Sequence, residues 1–203
     1  MHQFQKALHF LFNFKADVIV NTIGIDLDLN IGGVSKGILK EAGEGIQKEC
    51  NMQCKRASYG KVIVTSSGNI QSCKAIFHGS LPYWTPSGQF SLKVLMSFVY
   101  DCLNLASARN YNSIAFPSMG TGKLEYPKRE VATAMWDAVE MFSQKNPTSS
   151  VKKVTFVLFR SDAKVIPVSD TIITNFTNCL SRAVVMYLLL GASELRVKNN
   201  YFV

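Results

Sequence analysis

Short apolar runs separated by polar and glycine-bearing stretches predict a set of buried strands. Residues 16–21 have the sequence Ala-Asp-Val-Ile-Val-Asn, with three consecutive β-branched residues. Such a run is apolar on both faces and is typical of a strand inside a parallel sheet. Similar patterns predict further strands over residues 61–66, 75–79, 113–116 and 151–159.

Apolar residues at intervals of three and four predict helices between these strands. The periodicity covers residues 34–46, 92–105 and 131–142, and Gly43 and Gly45 weaken the middle of the first segment. Pro127 suits the first position of the third helix, where its missing N–H would have no helical partner. A fourth helix is predicted over residues 171–190, with the inward positions Ile172, Phe176, Leu180, Val184 and Tyr187.

The alternation of strands and helices predicts an α/β fold. From residue 16 the order is strand, loop, helix, strand, strand, helix, strand, loop, helix, strand. This order indicates a three-layer α/β/α sandwich around a mixed, mostly parallel sheet. We expect the folded domain to cover residues 16–166. An atypical N-terminal segment (residues 1–15) precedes it, and an atypical C-terminal helix or tail (residues 167–203) follows.

The composition excludes several classes of protein. Of the 203 residues, 47% are hydrophobic and 18% charged, so the chain has enough apolar surface to fold. No apolar run approaches the roughly 18 residues that span a bilayer, so we expect no membrane partner. The five cysteines form no C-x-x-C pair, and their odd number favours free thiols inside a cell.

The charge balance is basic. A net charge of +8 favours anionic partners such as phosphates or nucleic acid. The basic residues are scattered, however, and no long basic run supports nucleic acid in particular. Charge that only keeps the surface soluble is the alternative, and the sequence leaves both interpretations open.

Two glycine-bearing loops stand where ligands bind in open α/β sheets, beyond the carboxyl ends of strands. One runs from Asn21 to Ser35 and the other from Pro117 to Leu124, each between a strand and a helix. Glycines let backbone N–H groups approach a ligand closely, and a helix start attracts anions. Together the loops predict a pyrophosphate site, although either one alone also suits a tight turn. Neither the P-loop pattern nor G-x-G-x-x-G fits residues 117–125.

Four other residues each have a structural alternative to a role in a site. Asp26 and Asp28 lie between the first strand and its helix, where they either touch a ligand or form the turn. His78 follows an apolar run, and we interpret it as a hydrogen-bonded structural histidine rather than a catalytic base. Phe159, at the end of the strand predicted over residues 151–159, either stacks on a base or packs in the core.

Four segments together carry a family resemblance. They are residues 16–21, Gly-Gly-Val-Ser at residues 32–35, residues 61–65, and Ser-Ile-Ala-Phe-Pro-Ser-Met-Gly-Thr-Gly at residues 113–122. These segments resemble the macrodomain family of ADP-ribose-binding modules. They look most similar to the tandem macrodomains of large mono-ADP-ribosyltransferases.

The resemblance implies a site for ADP-ribose as ligand, with no cofactor and no metal. Asn21, Gly32 and Gly33 would border the distal ribose, while Val34 and Ser35 would offer helix-start N–H groups to a phosphate. Phe159 would stack on adenine. A further set would wrap the pyrophosphate: Ser118, Met119, Gly120, Thr121, Gly122, Lys123 and Leu124.

The chain also departs from the family pattern. The family's adenine-binding aspartate would fall near residues 6–8, which are Lys-Ala-Leu, so the resemblance implies weakened binding. Gly24 and Ser35 stand where family enzymes commonly carry a second asparagine and an acid. Both ends of the chain differ from the family, as expected for a truncated or alternatively spliced form.

These features favour a binding module that recognises free ADP-ribose or mono-ADP-ribosylated proteins, from a larger ADP-ribosyltransferase-type protein. One alternative is a hydrolase that removes ADP-ribose from Asp or Glu. Another is an inert regulatory fragment of a NAD-dependent protein ADP-ribosyltransferase. Poly-ADP-ribose and nucleic acid remain open as partners. Family membership would place the chain inside the cell, in the nucleus, the cytoplasm or both.

Overall fold

The computed structural model describes residues 15–158, 183–190 and 193–196, and seven strands of this part form one sheet. In chain order they are β1 (Val18–Thr22), β2 (Ile63–Ser66), β3 (Ala75–Gly79), β4 (Ser113–Pro117), β5 (Lys153–Leu158), β6 (Ala183–Leu190) and β7 (Ser193–Arg196). Their spatial order is β2-β3-β1-β4-β5-β6-β7. Neighbours from β3 to β6 are parallel, while β2 and β7 pair antiparallel with β3 and β6.

Helices cover both faces of the sheet. The described helices are α1 (Gly33–Ala42), α2 (Gly45–Gln53), α3 (Gln89–Ala108) and α4 (Lys128–Lys145). Val18 and Val20 of β1 pack in one core with residues of α3 and α4, whereas Ile19 between them packs in a second core with α1 and α2. All three are fully buried because successive side chains of a strand point to opposite faces. The predicted three-layer α/β/α sandwich with a mixed, mostly parallel sheet is therefore confirmed.

The first predicted helix divides into two. Gly43 stands between α1 and α2 with φ +86, a left-handed conformation that glycine adopts without steric cost. Its N–H donates to the carbonyl of Leu39 at 2.8 Å and closes the last turn of α1. Pro127, with φ −62, immediately precedes the first residue of α4.

The helix predicted over residues 171–190 is wrong for residues 183–190, which form β6. This strand pairs in parallel with β5, from Lys153 opposite Ala183 to Leu158 opposite Leu188. The eight residues are apolar throughout, and such a run lacks the polar positions that distinguish a helix from a strand. Residues 171–182 lie outside the described residues, as do residues 1–14, so the domain boundaries at 15/16 and 166/167 stay predictions.

The cysteines of the described part are free thiols, and three of them are buried. Burial raises the pKa of Cys50 to about 11 and that of Cys73 to about 12, and it also raises the pKa of Cys102 well above its usual value. A thiol protonated at neutral pH is a poor nucleophile, so these three are packing residues. Among the described helices, none has the length and apolar character that crossing a bilayer requires.

Candidate functional site

The two loops predicted from the sequence meet in one cleft. Loop L1 (residues 23–32) follows β1, and loop L2 (residues 118–127) follows β4, its parallel neighbour in the sheet. Because the carboxyl ends of parallel strands lie at the same sheet edge, L1 and L2 face each other there. They enclose a cleft of about 520 Å³ that also reaches the start of α1.

Most of the site residues predicted from the sequence line this cleft. Those brought together there are Gly32, Gly33, Val34, Ser35, Ser118, Gly120, Thr121, Gly122, Lys123 and Leu124. Asn21 and Met119 do not line the cleft, and both are fully buried. Phe159 lies outside the described residues. Contact of each residue with a ligand stays a prediction.

The start of α1 gives one wall of the cleft the character of an anion site. Gly33, Val34 and Ser35 form the first turn, whose N–H groups have no acceptor within the helix. This turn carries no acidic side chain, so nothing on it neutralises the positive end of the helix dipole. Phosphate groups bind at helix starts of this kind.

L2 supplies a second set of N–H groups. Within the described part of the chain, the N–H groups of Gly120, Thr121 and Gly122 have no protein acceptor. Gly120 has φ +76, and a Cβ on it would lie 2.8 Å from the ring of Tyr126. Only glycine fits this position, since both the backbone conformation and the space exclude a side chain.

Tyr126 fixes the position of L2. Its hydroxyl donates to the carbonyl of Pro82 at 2.9 Å, and its ring centroid lies 5.4 Å from that of Trp84. The N–H of Trp84 in turn donates to the carbonyl of Leu124 at 3.0 Å. L2 is thereby joined to the segment that follows β3.

The side chain of Gln47 in α2 makes two hydrogen bonds to the backbone of L1. The side-chain oxygen of Gln47 accepts the N–H of Leu29 at 2.8 Å, and its amide nitrogen donates to the carbonyl of Leu27 at 2.9 Å. Leu27 has φ +60, which is uncommon for a non-glycine residue, and its side chain is fully buried. The two Gln47 bonds therefore hold a turn that the backbone would otherwise avoid.

A buried hydrogen-bond chain runs from the cleft into the sheet. The hydroxyl of Ser35 lies 3.1 Å from Oδ1 of Asn21, and Nδ2 of Asn21 donates to Nδ1 of His78 at 3.1 Å. Nε2 of His78 then lies 2.9 Å from Oγ1 of Thr65, whose hydroxyl donates to the carbonyl of Ser66. With Nδ1 accepting, Nε2 carries the proton, so the imidazole is neutral and both nitrogens are bonded.

Burial lowers the pKa of His78 to about 3. A base with so low a pKa takes up no proton near neutral pH, and the ring is fully buried. This confirms the interpretation of His78 as a structural, hydrogen-bonded histidine. It also explains the inward position of Asn21, whose amide is the connection between His78 and Ser35.

The remaining lining residues of the cleft fall into two groups. Thr22, Ile23, Gly24, Ile25, Asp26 and Ile31 belong to the loop from Asn21 to Ser35 that the sequence predicted, whereas Tyr59, Leu81 and Tyr83 were missed by sequence reasoning. Leu81 and Tyr83 follow β3, which is parallel to β1, so the rule of strand ends that located L1 and L2 also applies to them. This rule does not apply to Tyr59, because Tyr59 precedes β2 instead of following a strand. Only tertiary packing brings it to the cleft.

Two opposite charges face the cleft. Of the described residues that line it, Asp26 is the one carboxylate and Lys123 the one cation. Both side chains are exposed. Asp26 also forms the turn, because its Oδ1 lies 3.4 Å from the N–H of Asp28. The described part of the chain contains no cluster of His, Cys, Asp and Glu suited to a metal ion.

Comparison with known protein families shows which family has this arrangement of loops and strands. The family described as Macro domain matches residues 20–135, a segment that begins within β1 and contains L1, α1, β4 and L2. The chain belongs to the macrodomain family. The resemblance based on residues 16–21, 32–35, 61–65 and 113–122 is thus confirmed.

Three known proteins show how this macrodomain relates to others. It is 36% identical over 152 residues to the protein mono-ADP-ribosyltransferase PARP14 of Homo sapiens, covering 74% of this chain and 8% of that protein. It is 30% identical over 148 residues to the O-acetyl-ADP-ribose deacetylase of Enterobacter sp. (strain 638), covering 71% of this chain and 80% of that enzyme. The solved Oceanobacillus iheyensis macrodomain with ADP has a TM-score of 0.71 and 26% identity, covering 81% of this chain and 88% of that one.

Proposed function

We propose that this macrodomain binds ADP-ribose, both free and attached to proteins, and acts as a reader of ADP-ribosylation. The observation that carries the proposal is the cleft of about 520 Å³ between two glycine-bearing loops at the ends of β1 and β4. N–H groups of the α1 start and of L2 face it, and together they suit a pyrophosphate. The names of the relatives, an O-acetyl-ADP-ribose deacetylase and a macrodomain with ADP, support the same ligand class.

Calorimetric titration tests this proposal directly. We expect ADP-ribose to bind saturably and more tightly than AMP, because AMP lacks both the pyrophosphate and the second ribose. No heat with ADP-ribose, together with no thermal shift, would contradict the proposal. If the ring of Phe159 stacks on adenine, Phe159→Ala should bind ADP-ribose more weakly than the unaltered chain. An unchanged affinity would show that Phe159 is not part of the site.

A matched pair of glycine variants separates loss of the cleft from loss of the fold. A Cβ on Gly122 meets no atom within 4 Å and points into open space at the cleft, so Gly122→Val should block the ligand while the domain stays folded. Gly45, the first residue of α2, has equally open space but lies outside the cleft. Gly45→Val should retain binding, and equal losses in both variants would contradict this location of the site.

A second candidate function is hydrolysis of an ADP-ribose ester. The observation in its favour is the likeness to proteins named O-acetyl-ADP-ribose deacetylase. The lining residues of the described cleft include Asp26 but neither histidine nor cysteine, which leaves few groups for acid–base work. Incubation with O-acetyl-ADP-ribose and with an automodified transferase decides between the two. Product release that disappears in Gly33→Glu would establish the hydrolase, and intact substrates would support the reader.

The setting of the domain in the cell also belongs to this proposal. The domain spans 8% of the mono-ADP-ribosyltransferase it resembles, and we propose that it serves as one module of a similarly large protein. We also propose an intracellular location, in the nucleus, the cytoplasm or both, because the ligands of such a module would be modified intracellular proteins.

A further inference from the structure

The carboxylate of Asp26 occupies the space directly beside Gly24. A Cβ placed on Gly24 would lie 2.5 Å from Oδ1 of Asp26, closer than two such atoms approach. The carboxylate therefore fills the volume into which a side chain at position 24 would project. Gly24 does not have a left-handed φ, so its smallness, rather than its backbone freedom, is what admits Asp26.

Asp26 lies at the end of the cleft nearest β3. L1 is hydrogen-bonded there through the N–H of Ile23 to the carbonyl of Gly79 at 3.0 Å and through the carbonyl of Ile25 to Ala57 at 2.7 Å. L2 follows β4, which lies on the opposite side of β1 from β3. A ligand whose pyrophosphate lies between the α1 start and L2 therefore extends one of its ends toward Asp26.

The chemistry of a carboxylate limits what this end can be. An ionised carboxylate only accepts hydrogen bonds and repels phosphate, so it faces an uncharged group that donates. Vicinal hydroxyls donate twice, at a spacing that two carboxylate oxygens match, and carboxylates bind ribose hydroxyls in dinucleotide sites. The adenine amino group offers a carboxylate a single group that donates, whereas the terminal ribose offers two neighbouring hydroxyls.

We propose that Asp26 binds the hydroxyl groups of the terminal ribose and so makes the cleft prefer ADP-ribose over ADP. The inference rests on the proposed function and names the residue that selects the ligand within that site. Oδ2 of Asp26 has no protein donor in the described part of the chain. A ribose hydroxyl thus adds a bond to this carboxylate without displacing one.

Titrations with ADP-ribose and ADP test the assignment, because the two ligands differ by the terminal ribose. Asp26→Ala should lower the affinity for ADP-ribose about 10-fold or more, the order expected for charge-assisted hydrogen bonds, and leave ADP within about 2-fold. Asp26→Asn keeps an oxygen acceptor and should lose less. Asp28→Asn is the matched control: its carboxylate accepts from the N–H of Asn30 at 2.8 Å, it does not line the cleft, and both affinities should stay unchanged.

Gly24 provides an independent variant. Gly24→Ala should displace the carboxylate and reproduce the selective loss of ADP-ribose, because its Cβ takes the space of Oδ1. In the Asp26→Ala background the same substitution should have little further effect, since no carboxylate remains to be moved. Additive losses from the two substitutions would overturn the proposed role of Asp26.

The outcomes are distinguishable from failure of the proposed function. If the unaltered chain binds neither ADP-ribose nor ADP, the proposed function and this inference both fail. If it binds ADP-ribose and Asp26→Ala binds it equally well, only the role of Asp26 fails. If Asp26→Ala lowers the affinities for ADP and ADP-ribose equally, the carboxylate lies near the adenosine or the substitution disturbs the loop. Either result would also overturn the assignment.

Discussion

Nδ2 of Asn21 and Nδ1 of His78 lie 3.1 Å apart, side by side on the parallel strands β1 and β3. Both side chains are fully buried, and the bond fixes the imidazole as an acceptor at Nδ1. Asn21 ends beside the hydroxyl of Ser35 at the floor of the cleft. The packing of the sheet is thus connected to the position of the α1 start through neutral, paired groups.

This relationship predicts a pH dependence of stability. Burial lowers the pKa of His78 to about 3 in the folded state, while an unfolded histidine titrates near 6.5. Below pH 6.5 the unfolded chain binds a proton that the folded chain does not, so the free energy of unfolding falls as the pH falls. The stability that comes from the neutral, buried His78 is fully present only above pH 6.5. Between pH 7.5 and pH 5.5 it lowers the free energy of unfolding by about 1.4 kcal/mol as it is lost.

Urea unfolding of the wild type and of His78→Gln over this pH range measures the effect. The variant lacks the titrating imidazole, so its free energy of unfolding should fall less with pH by about 1.4 kcal/mol. Parallel pH profiles for the two proteins would show that His78 is not the group responsible.

Gln47 is expected to stabilise L1 and, through it, the ligand site. Gln47→Leu removes both bonds to the backbone of Leu27 and Leu29, which should cost about 1–3 kcal/mol of stability. Chemical unfolding gives this number, and ADP-ribose titration should show weaker binding as the loop loosens. Gln71→Leu is the control, because the exposed Gln71 makes one long local bond of 3.3 Å; a similar loss there would refute the anchoring role of Gln47.

Glu125 in L2 has an unfavourable backbone conformation. Its φ is +61, which costs a residue with a Cβ about 1–2 kcal/mol, and its side chain is exposed. Glu125→Gly relieves this strain and should raise the free energy of unfolding by about 0.5–1 kcal/mol, after the greater entropy of glycine in the unfolded chain is subtracted. Glu125→Ala keeps the Cβ and should bring no gain. Equal thermal stability of all three proteins would contradict the interpretation.

Gly79 allows α3 to approach the end of β3. A Cβ at this position would overlap the ring of Phe98, which is fully buried in the core on that face. Gly79→Ala should therefore destabilise the domain by about 2–3 kcal/mol through overpacking. In the background of Phe98→Ala the ring is gone, so the same change should cost much less. A double-mutant cycle from unfolding curves measures this coupling, and additive costs would argue against direct contact.

Local sequence patterns predicted a strand or helix correctly where the spacing of the apolar residues and the length of the segment indicate the same type of element. The three β-branched residues of β1 mark a strand buried on both faces, and the fold places Val18, Ile19 and Val20 in its two cores. The apolar run at residues 183–190 has no polar position to mark its period, and the helix predicted there is wrong. Pairing with the edge of β5, a contact distant in sequence, decides its conformation.

The chain itself determined the order of strands and helices, and it determined that glycine-bearing loops follow β1 and β4. These are local properties, since the spacing of apolar residues and the conformational freedom of glycine act within a few residues. Tertiary structure alone decided that Asn21 turns inward to His78, that Gln47 holds L1, and that Asp26 lies beside Gly24. Hydrogen bonds and close contacts depend on directions in space, which are set only when the helices pack on the sheet.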